Sequence, residues 1–429
     1  MLNTQGLALE QAPPFLVPMR LFIMAPLFVS IAGVLLISHG QEIFASRWNP
    51  LSLALTHLIT LGFLTQIMIG AMLQLLPVLA GAPVPGVVGV SLGTQFLLVL
   101  GTSLLVTGFL LQEPLWLVGG GAVLILAFGL FLTATGLALR RASGSRETRH
   151  ALRLGWAAML PTLGLGLLLV SGLAGWVSLD NFQQSVSLHL TWGLAGWMGL
   201  LLIAVLTELV PMFYVTPAYT PLLRKWLAPG IFSLLIGMSL AAILLQDALV
   251  IGMFLISLVM LVFGIYTVWV TQERQRPVLD TTLIYIWIGC GAMVGAGVAM
   301  VFSDNSSLLG VLLLAGVALA FHTGVLYKII PFLCWFHLQG ARMAARRFDY
   351  ILPKMNAFIT ERRTRWQLYC YLGAMGLLLL GSFGIQNAIA LGGLLLLFSS
   401  LLLFANILSA MLVYRREWLA IGFQAETMG

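Results

Sequence analysis

Three short stretches of this chain set a polar side chain three residues ahead of a proline within apolar sequence. They are Gln74-Leu75-Leu76-Pro77, Glu208-Leu209-Val210-Pro211 and Lys328-Ile329-Ile330-Pro331. An amide, a carboxylate and an ammonium in such surroundings are costly unless partnered. If the three lie level, Glu208 and Lys328 can form an ion pair, with Gln74 completing a polar ring that serves as a proton entrance or gate. The plainer alternative is that the long side chains snorkel to nearby headgroups. Three histidines precede the same prolines: His57 by 20 residues, His189 by 22 and His322 by 9. A neutral imidazole in an apolar span is a candidate metal ligand, or else a packed polar group bonded to backbone or water. At about 1.5 Å per residue, His57 and His189 are level to within one turn, while His322 sits roughly 16 Å deeper.

The elements that must position these groups are membrane helices. Of the 429 residues, 60% are hydrophobic and 8% charged, with a mean hydropathy of +1.03. A globular chain carries about a quarter charged residues, so this composition excludes a soluble fold. The sequence predicts an all-α polytopic membrane protein of twelve spans, about 19–39, 51–79, 87–111, 115–138, 155–178, 187–215, 227–245, 248–271, 281–302, 308–336, 367–385 and 388–414. Of 21 Lys and Arg residues, only Arg47 falls in a loop on one side and Lys328 within a span, leaving 19 on the other side. The positive-inside rule then places both termini and the basic 338–366 loop in the cytoplasm. A surplus of positive charge, +7, arises from this asymmetry; it predicts contact with anionic lipid headgroups and no nucleic-acid partner.

Pro77, Pro211 and Pro331 are 134 and 120 residues apart, and each interval holds four predicted spans. Seven positions before each stands a small residue, Gly70, Ala204 or Gly324. The spacing predicts one membrane domain, 1–429, built of three pseudo-repeats at about 19–138, 155–271 and 281–414. Spans two, six and ten are then equivalent inner helices of three four-helix arcs. Cys290, Cys334 and Cys370 lack metal-site spacing, and neither a phosphate loop nor a hydrolase motif is present.

Twelve spans in three arcs, together with Gly70, Pro77, Gly81, Ala82 and Pro83 downstream of His57, resemble the catalytic subunit of the haem–copper oxidases. In that family the second helix often ends G-x6-P-x3-G-A-P and carries a low-spin haem ligand upstream, about one turn further from the glycine than His57 is here. The likeness in topology spans nearly the whole chain; the likeness in sequence is confined to 57–83. The resemblance implies haem b ligated by His57, with His322 opposite on family grounds or His189 opposite on grounds of depth. It implies a place in respiration in a bacterial cytoplasmic (inner) membrane.

The family's copper site does not carry over. Its helix-six histidine has a tyrosine four positions on, where His189 is followed by Gly193; span seven holds no histidine, and span ten offers His322 alone. No copper centre is expected, nor a standard terminal oxidase. The sequence therefore predicts a haem-binding membrane protein with an electron-transfer or accessory role in respiration, nitric oxide or metal handling, working with a redox partner or respiratory complex. A small-solute or ion permease and an assembly partner of a respiratory complex are the alternatives.

Overall fold

The computed structural model describes residues 9–143, 145–245 and 248–426, the last four of these by backbone alone. Twelve long helices carry the chain: α1 Leu16–Ala45, α2 Pro50–Ala80, α3 Val87–Leu111, α4 Pro114–Arg140, α5 Arg146–Leu173, α6 Phe182–Tyr214, α7 Pro221–Leu244, α8 Ala248–Gln272, α9 Thr281–Phe302, α10 Ser306–Ala344, α11 Glu361–Ser382 and α12 Gln386–Glu426. No strand occurs among the described residues. Eleven of the helices are long and apolar enough to cross a bilayer. The twelfth, α11, opens with Glu361, Arg362, Arg363 and Arg365, so its apolar part starts only at Trp366. The chain is a multi-pass helical membrane protein, and large apolar side chains such as Ile243, Leu244 and Phe302 lie on its outer surface.

The end of the bundle that bears Arg140, Arg141, Arg274, Arg342 and Arg415 is hereafter the basic end. Here α2 stops at Gly81, in the left-handed region at φ +56, with its N–H on the Leu76 carbonyl. Glycine takes this φ without strain. Helix α6 stops at Val215 in the same conformation, φ +53, which a β-branched residue adopts only at a cost. Helix α10 does not stop near its proline: it runs on from Pro331 to Ala344, 13 residues further, well past the 336 boundary read from hydropathy.

Helices α2, α6 and α10 share a backbone device. Each contains a π-helical segment, Leu58–Thr65, Trp192–Gly199 and Val311–Leu319, and each segment ends twelve residues before Pro77, Pro211 or Pro331 respectively. Such segments widen a helix by one residue per turn and shift the side chains beyond them. Fifteen residues before each proline, inside the π segment, stands a glycine: Gly62, Gly196 and Gly316. A Cβ on Gly62 would overlap the Phe28 ring of α1, one on Gly196 the Ala158 Cβ of α5, and one on Gly316 the Ala292 Cβ of α9. In all three places the inner helix meets the helix immediately before it in sequence (α1, α5, α9) through the same missing side chain, close enough to exclude any other residue.

Candidate functional site

Helix α2 begins sharply. Asn49 caps it, its side chain accepting from the Leu51 N–H, and Pro50 occupies the first helical position. Seven residues on, His57 ends the regular α-helical stretch and borders the π segment. Helix α6 presents His189 three residues before its own π segment. The two rings face each other with centres 6.4 Å apart and planes 24° apart. The first turns of α2 pack on α3 and those of α6 on α5, so the imidazoles meet across the seam between these helix pairs.

Both rings are fixed in the same tautomer. His57 donates its Nδ1–H to the Leu53 carbonyl at 2.8 Å, and His189 donates its own to the Thr162 carbonyl of α5 at 2.9 Å. A carbonyl can only accept, so Nδ1 carries the proton and each Nε2 keeps a free lone pair. No Nε2 partner is present for either ring among the described residues. Carbonyl-held Nδ1 with free Nε2 is the arrangement that orients a metal-ligating histidine. Phe109 of α3 lies against His57, ring centres 5.2 Å apart, and Gly166 of α5 lies beneath His189, where a Cβ would come within 3.0 Å of Cε1.

These residues fit a metal held between two imidazoles. Nitrogen–metal bonds of about 2 Å on either side set ring centres roughly 6 Å apart, and the observed separation is 6.4 Å. Among the described residues, no three His, Cys, Asp or Glu side chains converge. Two imidazoles leave an iron's remaining positions to donors that a macrocycle would bring.

His322 stands elsewhere. It is 7% exposed, donates Nδ1–H to the Ala318 carbonyl at 2.7 Å, and lines an apolar cavity of about 40 Å³ between α2, α6 and α10. Met68, Leu202 and Phe321 also line it, and neither His57 nor His189 does.

The polar residues ahead of the prolines bond outward, not to one another. Glu208 pairs with Arg224 of α7 at 2.6 Å and accepts from Thr148 Oγ1, in the first turn of α5, at 2.7 Å. Lys328 pairs with Asp280, the N-cap of α9, which also accepts from the Tyr214 hydroxyl at 2.8 Å. Buried Gln74 has no partner for its Oε1 among the described residues. The expected Glu208–Lys328 pair is thus replaced by two separate pairs, Glu208 being tied to the first turns of α5 and α7 and Lys328 to the start of α9. Hydropathy could not reveal this, since Thr148, Arg224 and Asp280 all belong to helix ends and loops. The contribution of Thr162, Gly166 and Phe109 to the imidazole site was likewise unforeseen, since these residues belong to α5 and α3 and reach the histidines only through packing.

No protein-family model matches the chain, and comparison with curated proteins finds no similar sequence.

Proposed function

We propose that the chain is an integral membrane haem b-binding protein, in which His57 and His189 would hold the iron. The observation that carries this reading is the pair of facing imidazoles, each with Nδ1 held by a carbonyl and Nε2 free. The shared π segment, glycine and proline of α2, α6 and α10 support three four-helix arcs with a common ancestry of form, like those of the haem–copper oxidases. The basic end then faces the cytoplasm, and the imidazole pair lies in the outer half of the membrane.

When bound, haem would supply a one-electron couple buried in the bilayer. The residues of this chain would hold its iron from both sides: Leu53 and Thr162 set the two ring orientations, Phe109 fills the flank of His57, and Gly166 leaves room for His189. With His57 and His189 both holding the iron, the site would suit electron transfer to or from a partner better than binding of a gas or substrate at the metal. His322, walled off in its own cavity, takes no part in this ligation.

The test is spectroscopic. Protein purified after expression with ample haem should show the Soret and alpha bands of low-spin haem b on reduction. His57→Ala and His189→Ala should each abolish the low-spin spectrum, while His322→Ala keeps it. Wild-type protein that takes up no haem would overturn the reading, and so would an unchanged spectrum in His57→Ala.

A further inference from the structure

At the end of the bundle opposite the basic end, a cavity of about 120 Å³ opens between α1, α2 and α10, with Leu378 of α11 and Leu396 of α12 along its floor. Its polar side chains sit at the mouth. They are Arg47 of the α1–α2 loop, Ser52 and Thr56 of the first two turns of α2, and Ser306 and Ser307 of the first turn of α10. Beyond them the walls are apolar, from Leu36 and Ile59 to Leu314 and Leu319. On α10 the lining descends from Ser306 to Leu319, roughly 20 Å at about 1.5 Å per residue. So small a volume drawn out over that length is narrow. At about 10–15 Å³ for each water-sized group, it admits roughly ten of them, the bulk of one unbranched alkyl chain.

The charge at the mouth is positive and uncompensated. Arg47 is the one Lys or Arg in the loops of this end. Its guanidinium lies over the Trp48 ring at 4.3 Å and makes neither a hydrogen bond nor an ion pair among the described residues. Partial burial pulls its pKa below the ordinary arginine value, as happens when a cation loses water and gains no counter-ion. Glu42 and Asp304, the carboxylates nearest in sequence, stand outside the cavity lining and pair with no base among the described residues. Ser52, Thr56 and Ser307 spend their hydroxyl protons on the carbonyls of Ile43, Ser52 and Phe44, each at 2.8 Å. The donors left at the mouth are the guanidinium, the Ser306 hydroxyl and the N–H groups of Ser306 and Ser307, which open α10 and have no partner within it.

We propose that this cavity binds a fatty acid, a single-chain carboxylate whose headgroup rests on Arg47 and the start of α10 and whose chain lies between α1, α2 and α10. The planar guanidinium matches a carboxylate through two parallel hydrogen bonds, and the apolar walls match the chain. A cavity of this volume between five helices takes one chain, whereas a phospholipid brings two. An amine of the same length would meet the cation of Arg47 with its own charge. The occupant would pack against Ser52, Leu55 and Thr56, and so buttress the first turns of α2 from the side away from α3. Its binding does not depend on haem.

The test uses the full-length protein in phosphatidylcholine nanodiscs, with decanoic acid bearing a diazirine at its far end as the photoaffinity probe. Irradiation followed by mass spectrometry should place the label on deep lining residues such as Leu36, Leu314 or Leu396. Excess decanoate should suppress that labelling several-fold, whereas decylamine and acetate should leave it unchanged. Arg47→Gln, a change at an exposed loop position, should reduce it several-fold. Leu314→Trp, which fills the cavity, should do the same with Arg47 still in place, and the Arg47 variant keeps the test decisive if this one fails to fold. Nanodiscs enriched in phosphatidylglycerol should give the same labelling as phosphatidylcholine alone. Suppression by decylamine equal to that by decanoate would overturn the proposal, as would undiminished labelling in Arg47→Gln. Loss of labelling in phosphatidylglycerol would assign the mouth to a lipid headgroup and overturn the fatty acid.

Discussion

Helices α2 and α10 share a backbone plan and carry different chemistry on it. Both have a π segment that ends twelve residues before a proline, and both have a glycine fifteen residues before it, packed against the helix immediately before it in sequence. Yet the border of the π segment in α2 holds His57, facing His189, whereas in α10 the corresponding turn lines a cavity and its Ala315 carbonyl receives Tyr371. What is common is the way backbones approach one another. What differs is what the half-helix leading into the π segment presents. The comparison teaches that the π segments and glycines are framework, and that function is written on the side chains beside them.

The strongest way to break this view is to fill the glycines. Gly62→Leu, Gly196→Leu and Gly316→Leu should each cost about 3 kcal/mol or more, since the atoms they meet belong to a closely packed neighbour. Gly129→Leu, with nothing within 4 Å of its Cβ position, should be near neutral. Unfolding in mixed micelles measures all four, and a harmless Gly316→Leu would remove α10 from the comparison.

Next in size are the ties at the basic end. Lys328→Met should destabilise by about 3 kcal/mol, because it leaves the half-buried Asp280 without its cation. Glu208→Gln should cost less, about 1 kcal/mol, since Arg224 and Glu208 are more exposed and the amide can still accept from Thr148. Equal costs at the two sites would argue that the environments of α6 and α10 are more alike than their partners suggest.

A smaller and more selective effect is expected at Gly166. Gly166→Ala crowds Cε1 of His189 and should weaken haem retention by roughly tenfold, without moving the melting temperature of the apoprotein. The smallest effect lies at the end of α6: Val215→Gly relieves a left-handed β-branched residue and should add about 1 kcal/mol of stability. The same change is already present in nature's version of that corner in α2, where Gly81 stands.

Much of this molecule was legible in its sequence because hydrophobic length and proline spacing are local properties. The twelve helices fall where apolar runs lie, and counting residues back from Pro77 and Pro211 sets His57 and His189 at one level, where the two rings meet. The end of α10 was missed because Pro331 is followed by Phe332-Leu333-Cys334-Trp335, good helix sequence that continues beyond the hydrophobic core. The π segments were invisible, since a one-residue widening leaves mean hydropathy unchanged. The partners of Glu208 and Lys328 were hidden for a related reason: they come from helix starts, whose positions depend on how the whole bundle assembles. The buried hydrogen bonds that join Thr281 to Thr364, Tyr285 to Gln367 and Gln367 to Ser399 have no local signature either, because they link single residues drawn from three helices.

A π segment also makes each inner helix adjustable in phase. One residue corresponds to about 100° of helical rotation, so removing a single residue from Leu58–Thr65 would turn Pro50–His57 as a unit while Gln66–Ala80 kept its seat. His57 would swing off the seam although no residue near it had been substituted. The three inner helices thus hold three independent angular settings, and an insertion or deletion of one codon in any of them could redirect an entire outer half-helix toward a new neighbour, leaving the basic end as it was.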